Sequence, residues 1–287
     1  MRKFIIDFGA NRGQNLEYFL KRADLVIAVE ANPTLCEFIE KEFADYVAGG
    51  KLIVENCAVS ETDTNEGLVF YIHKTRDYLS TSTNQELNPN YKKISIKGKT
   101  PGTIIQEHTK PADSFLYAKF DLEGFDSTAL NTMVSQGYVS DFISIEAHTV
   151  DCLVAILNIP EVKGLKLLEG TDIVKNYSSI DIVTLNKTIE KFSFKQHSSG
   201  PFGDDIAGEW MDKRTFLDYF LLKRFGWKDI HATTLERQLT NTLPIIFSIR
   251  MGFVRYIKLI WQNTVPLSVR DAIHFQIRKI RQFLRVF

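Results

Sequence analysis

Cysteine is scarce in this chain. Cys36, Cys57 and Cys152 lie far apart among 287 residues and form no C-x-x-C pair. That spacing supports neither a disulfide framework nor a zinc site, and a reducing compartment, the cytoplasm, is expected. No run of about 18 uncharged apolar residues exists, so no membrane span is expected. An apolar strand begins within three residues of the first residue, so no signal peptide is expected. The pattern G-x-G-x-x-G is missing, which argues against a dinucleotide pyrophosphate as the ligand. Net charge is absent too, since 35 basic and 35 acidic side chains cancel.

What is present is unevenly placed. From Ile245 onward eight basic residues face one acid, Asp271, so the body of the chain is acidic and its tail basic. Val269, Ile273, Ile277, Ile280, Leu284 and Phe287 fall on one stripe of a helix, with Arg270, Arg278, Arg281 and Arg285 opposite. Such a helix suits contact with the inner face of a membrane or pairing in a homo-oligomer. The expected organisation is a catalytic or binding domain over 1–243 and a basic, amphipathic helical appendage over 244–287.

The 44% hydrophobic content can bury a substantial core. Strand and helix patterns alternate through the first 170 residues, which predicts an α/β fold with a mostly parallel sheet and helices on both faces. Strands are expected at 4–8, 25–29, 52–55, 67–73, 93–97, 115–120, 141–146 and 164–169. Helices are expected at 14–23, from Pro33 to about Tyr46, at 127–136 and at 213–225. Residues 178–194 alternate as edge strands or a hairpin would. Thr75–Tyr91, polar and without periodicity, is expected to cover a site.

Asp7-Phe8-Gly9-Ala10-Asn11-Arg12-Gly13 follows the first strand and opens a helix. Small residues there let the backbone approach a ligand, and the helix N-terminus offers free N–H groups. An acid at the end of the strand suits a cationic, amino-bearing ligand, and S-adenosylmethionine (SAM) carries both an ammonium and a sulfonium. Glu30 ends the second strand, where an acid accepts hydrogen bonds from ribose hydroxyls. Asn56-Cys57-Ala58-Val59-Ser60 could flank an adenine ring, with Asn56 or Ser60 reaching its edge. Asp121 and Glu123 end a later strand, Glu146 and His148 the next one, and a Gly/Pro-constrained loop presents His197, Asp204 and Asp205. Asp121, Glu123, His148 and His197 are candidate bases. Asp121 with Glu146 could instead hold a divalent metal.

This ordered set resembles the FkbM family of SAM-dependent methyltransferases, over roughly residues 3–232. The matching pieces are Ile6–Gly13, Val29-Glu30-Ala31-Asn32-Pro33, Asn56–Ser60, Lys119-Phe120-Asp121-Leu122-Glu123-Gly124 and Ser144-Ile145-Glu146-Ala147-His148. The Ser-Ser-Gly-Pro-Phe-Gly-Asp-Asp loop and Trp227–Ala232 are similar to segments of some members. The resemblance implies a Rossmann-like class I methyltransferase fold of seven strands, the last antiparallel. It also implies O-methyl transfer to a sugar, glycan or glycosylated metabolite. On that likeness Asp7, Gly9, Ala10, Asn11 and Gly13 would hold the methionine part of SAM, and Glu30 with Ala31 the ribose. Asn56, Ala58, Val59 and Ser60 would hold the adenine, and Asp121 would lie near the methyl group. The other readings are a non-catalytic SAM- or nucleotide-binding module and an NAD or nucleotide-sugar oxidoreductase. Nucleic acid is not an expected partner, because the basic residues gather in the tail.

Overall fold

Phe4, Ile6 and Phe8 on one side of the first strand and Ile5 on the other are all buried. A strand apolar on both sides needs a layer on each face. The computed structural model describes residues 1–241 except 77, 78, 83, 224 and 225, and it supplies both layers. The elements begin with β1 (Lys3–Phe8), α1 (Leu16–Arg22), β2 (Leu25–Glu30), α2 (Pro33–Glu42), α3 (Ala44–Ala48), β3 (Leu52–Asn56), β4 (Ala58–Val59), β5 (Thr64–His73), β6 (Tyr91–Lys99) and α4 (Pro101–His108). They continue with β7 (Ser114–Phe120), α5 (Asp126–Ser135), β8 (Phe142–Glu146), α6 (Val150–Leu157), β9 (Gly164–Glu169) and α7 (Ile173–Asn176). The last are β10 (Ile180–Val183), β11 (Ile189–Phe192), β12 (Trp210–Met211), α8 (Lys213–Lys223), β13 (Lys228–Thr233) and β14 (Leu239–Thr240).

The main sheet runs β14-β12-β9-β13-β8-β7-β1-β2-β3. Its seven full strands form the Rossmann-like class I arrangement: β13 is the last of them and lies antiparallel between β8 and β9. Two-residue strands β12 and β14 extend the edge, so the sheet has nine strands where seven were expected. On one face Phe4, Ile6, Leu25 and Ile27 pack against Ile104, Leu130, Ile156 and Phe216 of α4, α5, α6 and α8. On the other, Ile5, Val26 and Ala28 pack with Phe19, Ile39 and Ile173 of α1, α2 and α7. An aromatic cluster reinforces this second face, with Phe202 stacked on Tyr117 at 4.2 Å and set edge-on to Tyr18. Chain direction diverges between β1 and β7, and this switch point is where open α/β sheets place ligands.

Three departures from expectation have local causes. The helix from Pro33 breaks at Phe43, whose ring packs against Gly13, and resumes as α3. Helices α4 and α6 were not among the expected elements. Each has a side-chain cap: Thr100 accepts from Thr103 N and Thr149 from Cys152 N. The β5–β6 pair joins β4 in a separate three-stranded sheet. Among the described residues no helix is long and apolar enough to cross a membrane. The expected appendage at 244–287, and residues 224 and 225 of the expected helix at 213–225, lie outside the described residues.

Gly9 fixes the closeness of β1 to β7. At φ +88°, a Cβ there would sit 1.8 Å from the Asp121 carbonyl oxygen. Gly137, at φ +82°, has nothing within 4 Å of the same position. A positive φ alone costs about 1–3 kcal/mol for an L side chain. Urea denaturation of Gly9→Ala should therefore show a distinctly larger loss of stability than Gly137→Ala. Equal losses would mean that the β1 and β7 ends separate freely.

Candidate functional site

A cleft of about 630 Å³ opens at the carboxyl ends of β1, β2, β7 and β8. It brings together twelve of the sixteen residues given a cofactor-binding or catalytic role from sequence: Gly9, Ala10, Asn11, Glu30, Ala31, Ala58, Val59, Asp121, Glu123, Glu146, His148 and His197. Four do not line it. Asp7 is fully buried beneath the floor, and Gly13 turns away to pack on Leu16 and Phe43. Asn56 donates to the Glu30 carbonyl oxygen at 2.9 Å, and Ser60 donates to the Thr62 carbonyl oxygen at 2.8 Å. Both polar side chains are thus spent within the backbone around β3 and β4.

One wall is set by Glu30. Its Oε2 accepts from Asn11 N and its Oε1 from Asn32 N, each at 2.8 Å. The carboxyl therefore ties the Gly-rich turn to the end of β2. Burial, only partly offset by these two N–H donors, raises it to about 7.

The opposite wall centres on Lys119, a residue the sequence reading passed over. It is 3% exposed, and its Nζ lies 3.1 Å from both Asp7 Oδ1 and Asp121 Oδ2. Burial opposes the ammonium, yet Asp121 and Asp7 outweigh it and hold Lys119 well above its ordinary range. Its signal in the sequence is positional: a lysine inside the apolar run Phe115–Phe120 occupies a sheet face and must be paired. Asp7 keeps both carboxylate oxygens without a hydrogen bond among the described residues, so the ion pair with Lys119 is what compensates it.

Beyond Asp121 the acids crowd. Glu146 lies opposite Asp229 of β13 in register, and burial raises both carboxyls, Asp229 further because Glu146 faces it. His148 Nε2 sits 2.8 Å from Glu146 Oε2, and this hydrogen bond raises the imidazole to about 9. Burial, then the charge of Asp121, raises Glu123 to about 7. Asp121 and Glu146, considered as a metal pair, instead face the cations Lys119 and His148. Among the described residues the trio spaced for an ion is Glu55, Glu107 and His108, where Lys99 Nζ already contacts both carboxylates at 2.7 and 2.5 Å.

The rim carries further residues. The loop with His197 is fastened to the start of α1: Asn15 Oδ1 accepts from Ser198 Oγ at 2.8 Å and from Ser199 N at 2.9 Å. Asp204 and Asp205 serve that loop rather than the cleft, binding Trp210 and Arg237, and Tyr18 and Arg22. Trp227 lies across Gly170, where a Cβ would meet the indole at 2.5 Å, and its ring faces His197 at 6.3 Å and 28°. From the expected cover, Thr75, Arg76, Leu79, Ser80 and Ser82 line the cleft, and Thr81 pairs with Tyr71 of β5.

Neither a family model nor a curated protein sequence matches this chain. Solved structures with a similar fold include methyltransferase FkbM from Methylobacillus flagellatus KT, at 15% identity and TM-score 0.40, over 58% of this chain and 40% of that one. A SAM-dependent O-methyltransferase from Thermotoga maritima is 9% identical with TM-score 0.34, over 83% of this chain and 61% of that one. M. capricolum TrmK, solved with S-adenosyl-homocysteine (SAH), is 10% identical with TM-score 0.36, over 99% of this chain and 92% of that one. The chain thus spans less than half the length of the first of these. At such overlap the chemistry has to be read from the cleft itself.

The cleft makes stability depend on pH in a defined direction. Folding favours the neutral carboxyls of Glu30 and Glu123, so their contribution is present below about 4.5 and falls as pH rises through 7. Folding favours charged His148, so its contribution is complete below about 6.5 and is lost as pH climbs through 9. His148→Gln should flatten the decline in urea-measured stability between pH 7 and 9 and leave the limb between 5 and 7. An unchanged alkaline limb would remove the Glu146–His148 ion pair.

Proposed function

We propose that the protein is a SAM-dependent methyltransferase that methylates a hydroxyl of a sugar, glycan or glycosylated metabolite. The observation that carries the reading is Glu30. It stands at the end of β2, at the switch-point cleft, and both its oxygens accept a backbone N–H. Each oxygen keeps a lone pair, which suits the two hydroxyls of a ribose. Ala31, Ala58 and Val59 give apolar walls for an adenine, and Gly9 to Asn11 allow the close backbone approach that an amino-acid moiety needs. The acids Glu30, Asp121, Glu123 and Glu146 suit a cationic cofactor.

SAM supplies an electrophilic methyl on a positively charged sulfur. The chain's own contribution is to bind, to orient and to exclude water. Alignment of reacting groups is worth up to about 7–11 kcal/mol in well-oriented systems. Lys119 fixes Asp121 at the mouth of β7, so that this carboxylate stays ionised and in place. The sugar part of the reading is supported by the exposed indole of Trp227, whose apolar face suits the C–H face of a pyranose. Carboxylates nearby can accept from its hydroxyls.

Titration calorimetry with SAH tests the cofactor site. Glu30→Ala should weaken binding by about 1.5–3 kcal/mol, the range for hydrogen bonds to a charged group. Because Glu30 also holds two loop N–H groups, the thermal midpoint of the variant is measured alongside. Affinity unchanged in a folded variant would overturn the ribose assignment, and no affinity in the wild type would overturn the function. The acceptor class is tested by incubation with methyl-deuterated SAM and a panel of glycans and sugar nucleotides, read by mass spectrometry for a labelled methyl ether. Label found only on another class of acceptor would overturn the sugar reading.

A further inference from the structure

Among the described residues four carboxyl side chains line the cleft, and three of them are engaged. Glu30 holds two backbone N–H groups, Asp121 faces Lys119 and Glu146 faces His148. The fourth, Glu123, makes no side-chain hydrogen bond or ion pair among the described residues. Its backbone is nonetheless held with care. Glu123 sits at φ +48°, a left-handed conformation that glutamate rarely adopts. Strain of this kind persists only where the surroundings impose it.

Here the surroundings do impose it. Asp126, 1% exposed, accepts from Leu122 N at 2.8 Å and from Gly124 N at 3.0 Å, clamping the turn on either side of Glu123. Thr81 Oγ1, from the segment covering the cleft, donates to the Glu123 carbonyl oxygen at 3.1 Å. A buried acid thus holds a strained turn that presents an unengaged carboxyl. His148 is less suited to taking a proton, because Glu146 keeps it as an imidazolium.

We propose that Glu123 is the general base of the reaction, the catalytic residue that takes the hydroxyl proton of the acceptor. The inference rests on the methyltransferase reading above. An oxygen lone pair of the acceptor forms the new O–C bond, and the electron pair of the breaking C–S bond goes to sulfur. The O–H proton passes to a Glu123 carboxylate oxygen. One alcohol and one SAM cation thus give one methyl ether, neutral SAH and a proton, which Glu123 then releases to water. The charged groups facing Glu123 are Asp121 on its own turn, Lys119 of β7, Asp126 of α5 and His148 after β8. The first and third disfavour its charge and the other two favour it, which leaves the carboxyl near 7, suited to both accepting and releasing a proton.

The test uses the full chain saturated with SAH, with ¹³C-labelled glutamate followed by NMR across pH. One Cδ resonance titrating near 7 in the wild type should be absent from Glu123→Gln, while SAH affinity stays within about two-fold. With methyl-deuterated SAM and the panel of glycans and sugar nucleotides, kcat should fall by about 10²–10⁴-fold in Glu123→Gln and recover in part in Glu123→Asp. A lost resonance that titrates near 4, or turnover by Glu123→Gln at the wild-type rate, overturns the proposal. Failure of the wild type to bind SAH removes the methyltransferase reading and this inference with it. SAH binding with an unaltered Glu123→Gln removes the inference alone.

Discussion

The ammonium of Lys119, buried between Asp7 and Asp121, is the constraint on which the site depends. Removing an ion from water costs several kcal/mol even after the protein relaxes, and breaking such a pair strands the partner charge. Lys119 and Asp7 are side by side in register on β7 and β1, the two strands that flank the switch point. Asp121 takes the other side of the same ammonium from just beyond the end of β7. One cation therefore locks two strand ends and an ionised carboxylate into a single geometry. Gly9 completes the lock from the backbone side, because only a residue without Cβ lets β1 come so near the Asp121 carbonyl.

From that fixed point the roles of the remaining acids follow from their surroundings rather than from their chemistry. Asp121 stays ionised because a buried cation faces it, although burial works in the other direction. Glu146 and Asp229 stand opposite each other across β8 and β13, where two charges repel, and the short contact of His148 is with Glu146. At Glu123 burial and the like charges of Asp121 and Asp126 outweigh His148 and Lys119 and push the carboxyl up to about 7. Similar carboxyls placed a few residues apart thus become an anchor, half of an ion pair and a free acid. Environment separates them, as it does wherever acid and base must be sorted at one pH.

The parts of the fold that were legible in the sequence are those with a strict period. Strand 25–29 is an unbroken apolar run and the segment 178–194 alternates, so each was placed within a residue or two. Helices α4 and α6, eight residues each, are too short to show a sustained period, and their caps, Thr100 and Thr149, were not singled out. In the site, strand-end acids were legible because position along an α/β sheet predicts where ligands approach. Lys119 was not, since pairing between residues on neighbouring strands depends on register, which a single segment does not reveal. Nor was the turning of Asn56 and Ser60 into the backbone, because a polar side chain near a site has local competitors that only coordinates disclose. Asp126 is the instructive case. Placed at the start of α5, it spends its carboxylate on the N–H groups of the preceding turn and so shapes Glu123.

An acidic cleft also bears on turnover. On the proposed methyltransferase reading, a cofactor that arrives as a cation and leaves neutral is attracted most strongly before its methyl is transferred, and the attraction weakens afterward. Fields of this kind act on encounter and release more than on the chemical step. An unpaired cluster of carboxylates would hold any cation too firmly and would also resist folding. Lys119 and His148 temper it: the cluster keeps its geometry, its mutual repulsion is relieved, and Glu123, raised to about 7, is left without a hydrogen-bond partner among the described residues. The buried ammonium thus reconciles two demands that conflict in a purely acidic pocket, an attraction for positive charge and a carboxyl able to gain and lose a proton.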